Sequence, residues 1–369
     1  MNRPLPYRKD DAVGFSLMEL MVSMAIILLV LLVLVSTVDS TRRTWTFTTA
    51  KIEQFRDARN AFEAITKRLS QATMNTYWDY VDANGNFRSG SSFVPARYVR
   101  QSELRFISGP SLTGDASKPT HAIFFQAPLG VTSGTAYANL ATALNTVGYY
   151  LEFESDKDQR PACILNAQPN HFDYRFRLKE MIEPTESLTL YQYTSGSGNS
   201  SYKGAEWYMT PMGTNTTGTS WSRVMADNIV ALVFLPKLST EEDSTGTKLC
   251  PNYTYDSTLT NADPLINPKN QLPPVVQVTM VAIDEESAAR LAGMNGNAMP
   301  DLGLETLFQD ASKYQADLDQ LQANLLRRTY SNNGNTYSPA VKLPTAVNYR
   351  IFTTNVPIRT AKWSVEEAN

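Results

Sequence analysis

The sequence predicts an α+β protein: a long N-terminal hydrophobic helix, then a large, mostly antiparallel β-sheet head with a late helical insertion. Three observations predict this. Phe15–Val35 is a run of 21 residues in which Glu19 is the only charge. No glycine or proline falls between Phe15 and Met74. Beyond Tyr80, aromatic and β-branched runs alternate with Gly, Pro and Asn breakers, and regular intervening helices are lacking, the pattern of antiparallel sheet.

The helix is read over residues 15–78, with 15–35 as its membrane-spanning part. About 20 apolar residues at 1.5 Å each cross a hydrocarbon core of roughly 30 Å. A cleaved secretory signal would have a shorter apolar core and a small-residue cleavage site, and Ser36-Thr37-Val38-Asp39-Ser40 lacks the A-x-A pattern. Flanking charges leave orientation open, since Arg3, Arg8 and Lys9 precede the run while Arg42, Arg43 and Lys51 follow it. Beyond the membrane Ile52, Phe55, Phe62, Ile65 and Leu69 form one apolar stripe, as expected of a helix packed beneath a head. An ionised side chain inside such a span costs at least a few kcal/mol near its centre, so Glu19 asks for a partner that a plain anchor would not need.

Residues 79–369 form the head, read as one domain because no long linker divides it. Its expected strands are Glu103–Ile107, Ala122–Gln126, Gly148–Glu154, Phe172–Leu178, Leu188–Tyr193, Ile229–Pro236, Val275–Ile283 and Tyr349–Val356. The helical insertion, about residues 285–328, comprises Glu285–Ala292 and a longer amphipathic piece, Asp301–Arg328, with Asp301 as its cap. Thr194–Gly204, Gly213–Ser220 and Asn332–Ser338 read as polar loops.

Composition narrows the function. A net charge of −3 and a pI near 5.6 give no support for general nucleic-acid binding. Only His121 and His171 are present, without metal-ligand spacing, and there is no G-x-S-x-G elbow, P-loop or dinucleotide fingerprint. The sequence therefore predicts no enzyme and no cofactor. Asp82-Ala83-Asn84-Gly85-Asn86 resembles part of a calcium loop but lacks the bidentate Glu that completes one, so it reads as a turn. Asp284-Glu285-Glu286 reads as the acidic start of a helix.

A short basic leader followed by Gly14-Phe15-Ser16-Leu17-Met18-Glu19-Leu20 and a hydrophobic run resembles the N-terminus of type IV prepilins and type II secretion pseudopilins. The resemblance implies a leader of residues 1–14, cleavage between Gly14 and Phe15 by a membrane peptidase, and N-methylation of Phe15. It further implies that Glu19 meets the new amine of a neighbouring subunit during filament assembly. Gly148-Tyr149-Tyr150-Leu151-Glu152-Phe153, Phe176-Arg177-Leu178, Ala226-Asp227-Asn228-Ile229 and Tyr349-Arg350-Ile351-Phe352 are similar to the large minor-pilin class, including PilW-like minor pilins and minor pseudopilin J. Pro273-Pro274 before a strand and Glu286–Leu291 after it are similar to prepilin-like proteins of verrucomicrobial cassettes.

The implied function is structural: a minor pilin or pseudopilin, at low copy or at the tip of a filament, because a head near 290 residues would crowd a shaft. The implied partners are the prepilin peptidase/methylase, other pilin or pseudopilin subunits and the inner membrane, with a secreted substrate or surface ligand as a further candidate. The implied location is a single-pass inner-membrane protein with a periplasmic head, reaching the cell surface after assembly. A filament-borne adhesin or uptake protein is the alternative, and a membrane-tethered periplasmic enzyme a third. Cys163 and Cys250 suit an oxidising compartment, either as one disulfide or as two unrelated thiols.

Overall fold

The computed structural model describes residues 17–88, 90–137, 139–167, 172–192, 204–213, 220–295 and 298–365. The chain divides into two compact units, Met1–Glu53 and Gln54–Asn369. The described residues of the first belong to the N-terminal part of α1, the helix Leu17–Leu69. Its stretch Leu17–Arg42, 26 residues, is long and apolar enough to cross a membrane, and no part of it is buried within the protein. At 1.5 Å per residue it measures about 39 Å. Ser23, Thr37 and Thr41 turn their hydroxyls back onto the carbonyls of Glu19, Val33 and Thr37, so these polar groups are satisfied inside the helix itself.

In the second unit the last turns of α1 become core. Ala58, Ala61, Phe62, Ile65 and Leu69 are buried along one face, with Phe55 half-buried beside them. The two alanines extend the expected stripe, and their small side chains suit a closely packed helix face. The helix ends at Leu69, nine residues before the expected 78. The Ser70 hydroxyl donates to the Lys67 carbonyl in the last turn, and Thr73 donates its N–H to Gln126 of the sheet. The chain then pairs as β1 (Tyr77–Val81) with β2 (Arg97–Gln101).

The main sheet has six antiparallel strands. It is built from β3 (Ile107–Pro110), β4 (His121–Pro128), β5 (Leu144–Ser155), β6 (Tyr174–Glu183), β7 (Ser222–Asp227) and β9 (Tyr255–Asp256), in the order β7-β6-β5-β4-β3-β9. A second sheet, ordered β13-β10-β8, joins β8 (Ile229–Lys237), β10 (Val275–Ile283) and β13 (Tyr349–Pro357). Period-two alternation gives the large sheet two buried faces. Ile123, Phe125, Val147, Tyr149, Leu151 and Leu178 share one core with α1 and the second sheet. Ala122, Phe124, Tyr150 and Met181 face a smaller core closed by Trp207 and Tyr208 of the short helix α4, Glu206–Met209. Residue 148 on that second face is a glycine, and a Cβ there would sit 2.4 Å from the Phe124 ring.

Several expectations are corrected. Of Glu103–Ile107 only Ile107 is strand. The preceding N–H groups of Arg105 and Phe106 are taken by the side chains of Gln126 and Ser257 rather than by a neighbouring strand. Leu188–Tyr193 contains a helical turn, α3 (Thr189–Gln192), because Glu183 accepts from both the N–H and the hydroxyl of Thr189. The first late helix, α5 (Glu285–Asn295), runs past Gly293. The second is shorter than expected: Asp301 closes a turn onto Gly303, Asp310 caps a 3-10 turn at Ala311–Lys313, and α6 spans Tyr314–Leu326. The expected loop at Asn332–Ser338 is a hairpin of β11 (Tyr330–Asn332) and β12 (Asn335–Tyr337). Its turn residues, Asn333 and Gly334, both have positive φ, as a tight two-residue hairpin requires. Thr194–Gly204 and Gly213–Ser220 fall largely outside the described residues.

Candidate functional site

Glu19 stands in the first turn of α1, where a carboxylate suits the positive end of the helix dipole. It is exposed among exposed apolar neighbours including Leu17, Met18 and Leu20. No hydrogen bond or ion pair to its carboxylate is present among the described residues, while its backbone carbonyl accepts from the Ser23 hydroxyl. Gly14 and Phe15, the expected cleavage and methylation positions, lie outside the described residues.

Glu180, which sequence reasoning passed over, has the opposite setting. Its neighbours Phe176 and Leu178 on β6 point into the main core, and period two carries Glu180 to the same face. The carboxylate is only 1% exposed and is held from three sides. Arg68, in the last turn of α1 and 26% exposed, forms an ion pair with Oε1. Arg223 of β7, 64% exposed, donates from Nε to Oε2 at 2.8 Å. The Tyr149 hydroxyl of β5 donates to Oε1 at 2.9 Å, and burial raises the pKa of that phenol, keeping it a donor. One acid thus ties the end of the helix to three adjacent strands. The signal was available as a charge at an inward position of an apolar alternation, with Arg68 at the end of an amphipathic helix.

The other singled-out residues have structural places. His121 is fully buried; its Nε2 donates to the Phe308 carbonyl at 3.0 Å while Nδ1 accepts from the Phe234 N–H at 3.2 Å, capping the free edge of β8. Both ring nitrogens are used by the neutral imidazole, and burial lowers its pKa to about 4. His171 lies outside the described residues. Asp82 accepts from the N–H groups of Asn84 and Asn86 and from the Asn86 amide, a side-chain-stabilised turn. Asp284 caps α5 through the Ser287 N–H and binds Asn348, while Glu285 pairs with Arg175. No cluster of His, Cys, Asp or Glu suited to a metal ion occurs among the described residues.

The disulfide left open by the sequence is not formed: both cysteines are free. Cys163 is exposed on α2 (Ala162–Ala167), whereas Cys250 is buried in the main core, and burial raises the pKa of its thiol. No known protein family, curated protein or solved structure matches the chain.

Proposed function

We propose that the chain is a structural, non-enzymatic minor pilin or pseudopilin. In this reading prepilin peptidase cuts between Gly14 and Phe15, Phe15 is N-methylated, and the subunit enters a type IV pilus-like or type II secretion-like filament at low copy or at its tip. The head is periplasmic before assembly. The observation that carries the proposal is Glu19: an acid on a membrane-length apolar helix with no partner for its carboxylate among the described residues. An amine created at Phe15 of an adjacent subunit would supply the missing counter-charge, and each group would lower the other's cost of leaving water.

Mass spectrometry of the mature N-terminus from native membranes tests the processing step. The expected N-terminal peptide begins with N-methylated Phe15. A mature protein that retains Met1, or one that begins beyond Glu19, would overturn the proposal.

A further inference from the structure

A cavity of about 610 Å³ opens between the β3–β4 connection and the segment leading into α6, well away from Glu180 in the residues that line it. Its volume falls among those of small-molecule pockets, roughly 300–1,000 Å³. The floor is apolar and buried, formed by Phe176, Leu302, Leu307 and Phe308. The rim is acidic, with Asp115, Asp301 and Glu305 all exposed.

The charges do not balance within the cavity. Among the described residues Lys118 is the only Lys or Arg lining it, and it is already engaged by Asp115 and, at 3.1 Å, by Glu152. Asp301 accepts only the Gly303 N–H, and no cation pairs with it or with Glu305 among the described residues. Two solvent-exposed carboxylates without a protein cation among the described residues therefore stand on the rim of an apolar floor.

The walls are also held in costly conformations. Ser111, Thr120 and Phe308 line the cavity with φ of 54°, 67° and 59°. Residues other than glycine held there cost on the order of 1–3 kcal/mol each and persist only where the surroundings fix them. The surroundings do so at two of the three: the Thr120 hydroxyl accepts from the Leu232 N–H, the Phe308 N–H donates to Asp317, and the Phe308 carbonyl accepts from His121. These contacts hold that part of the wall in place, so little binding energy would be lost in shaping it.

We propose that this cavity binds a small organic cation, its apolar body on the Phe176–Leu307 floor and its ammonium or guanidinium group between Asp301 and Glu305. Anionic ligands meet like charge at the rim, and neutral ones gain no charge pairing there. The site is independent of the filament reading, since none of its residues lies on α1.

Titration calorimetry of the detergent-solubilised full chain tests this with three ligands sharing one ring system: tryptamine, neutral tryptophol and anionic indole-3-acetate. Tryptamine is expected to bind about tenfold tighter than tryptophol, and indole-3-acetate to bind weakest. The double variant Asp301→Asn, Glu305→Gln is expected to erase the preference for the amine without lowering the unfolding temperature, because both carboxylates are exposed. Leu304→Trp, which fills the mouth of the cavity, is expected to abolish binding of all three. Equal affinities for amine and alcohol, an amine preference unchanged in the double variant, or no binding of tryptamine at millimolar concentration would each overturn the proposal.

Discussion

Glu19 and Glu180 are the same side chain set among apolar neighbours, one in an apolar run and one at an inward position of an alternating strand, and the protein treats them differently. In the head, strand alternation forces Glu180 inward, and the fold brings Arg68, Arg223 and Tyr149 to meet it. On the apolar stretch of α1, Glu19 is exposed and its carboxylate meets no partner among the described residues. The comparison teaches that an acid in an apolar context becomes informative once its counter-charge has been sought. Where the chain supplies one, the acid belongs to folding. Where the described chain supplies none, as at Glu19, the proposal above assigns the counter-charge to a neighbouring subunit.

The largest effect should come from removing the satisfied acid. Glu180→Ala leaves Arg68 partly buried without its partner, a loss that reaches 3–5 kcal/mol for fully buried pairs. Because Arg68 is about one-quarter exposed and Arg223 mostly exposed, about 2–3 kcal/mol is expected here. Denaturant unfolding of the solubilised full chain, followed by near-ultraviolet circular dichroism, checks this. Glu19→Val in the same assay should move stability by less than about 0.5 kcal/mol. Equal losses from the two substitutions would erase the distinction.

The pH dependence sharpens the picture of the head. Burial lowers the His121 pKa from 6.5 to about 4, so between those values the unfolded chain binds the extra proton and stability falls as pH falls. Burial raises the Glu183 pKa from 4.5 to about 7, so there the folded chain binds the extra proton and stability falls as pH rises. The two slopes oppose one another between about pH 4.5 and 6.5, and their sum is expected to be nearly flat. Glu183→Gln removes one slope and should expose the other, with stability declining on acidification by on the order of 2–3 kcal/mol across that window. Unfolding curves at half-unit pH steps measure it; a wild type that loses stability as steeply as the variant would contradict the opposition of the two groups.

The smallest expected effect concerns the thiols. Cys163 is exposed and Cys250 buried, so maleimide labelling of the native protein should modify one cysteine rapidly and a second only after unfolding. Failure to label either without a reductant would restore the disulfide.

Much of the head was legible in the sequence where local pattern and burial agree. Val275–Ile283 matches its strand end to end, since an apolar run buried almost throughout is bounded by Pro273-Pro274 and by Asp284, which caps the next helix. The apolar stripe of α1 was legible for the same reason, although Ala58 and Ala61 were too small to register as hydrophobic anchors. What the sequence hid depends on distant partners. Thr189 turns into a helix because Glu183 reaches it, and Arg105 and Phe106 leave the sheet because Gln126 and Ser257 take their donors. The start of α6 moved because Asp301 is spent on Gly303, leaving Asp310 to cap the turn that leads into it. Of the candidate site, Glu19 was visible as a lone charge in an apolar run. Glu180 required knowing that β6 lies with that face toward α1, and the cavity required the packing of segments nearly 200 residues apart in sequence.

The central claim is that Glu19 acts between subunits and not within the fold. The direct measurement is the distribution of Glu19→Val between the membrane fraction and sheared filaments of cells producing it in place of the native chain. Membrane levels and unfolding stability are expected to match the native protein, while recovery in filaments falls by at least about tenfold. Recovery in filaments at the native level would contradict the claim.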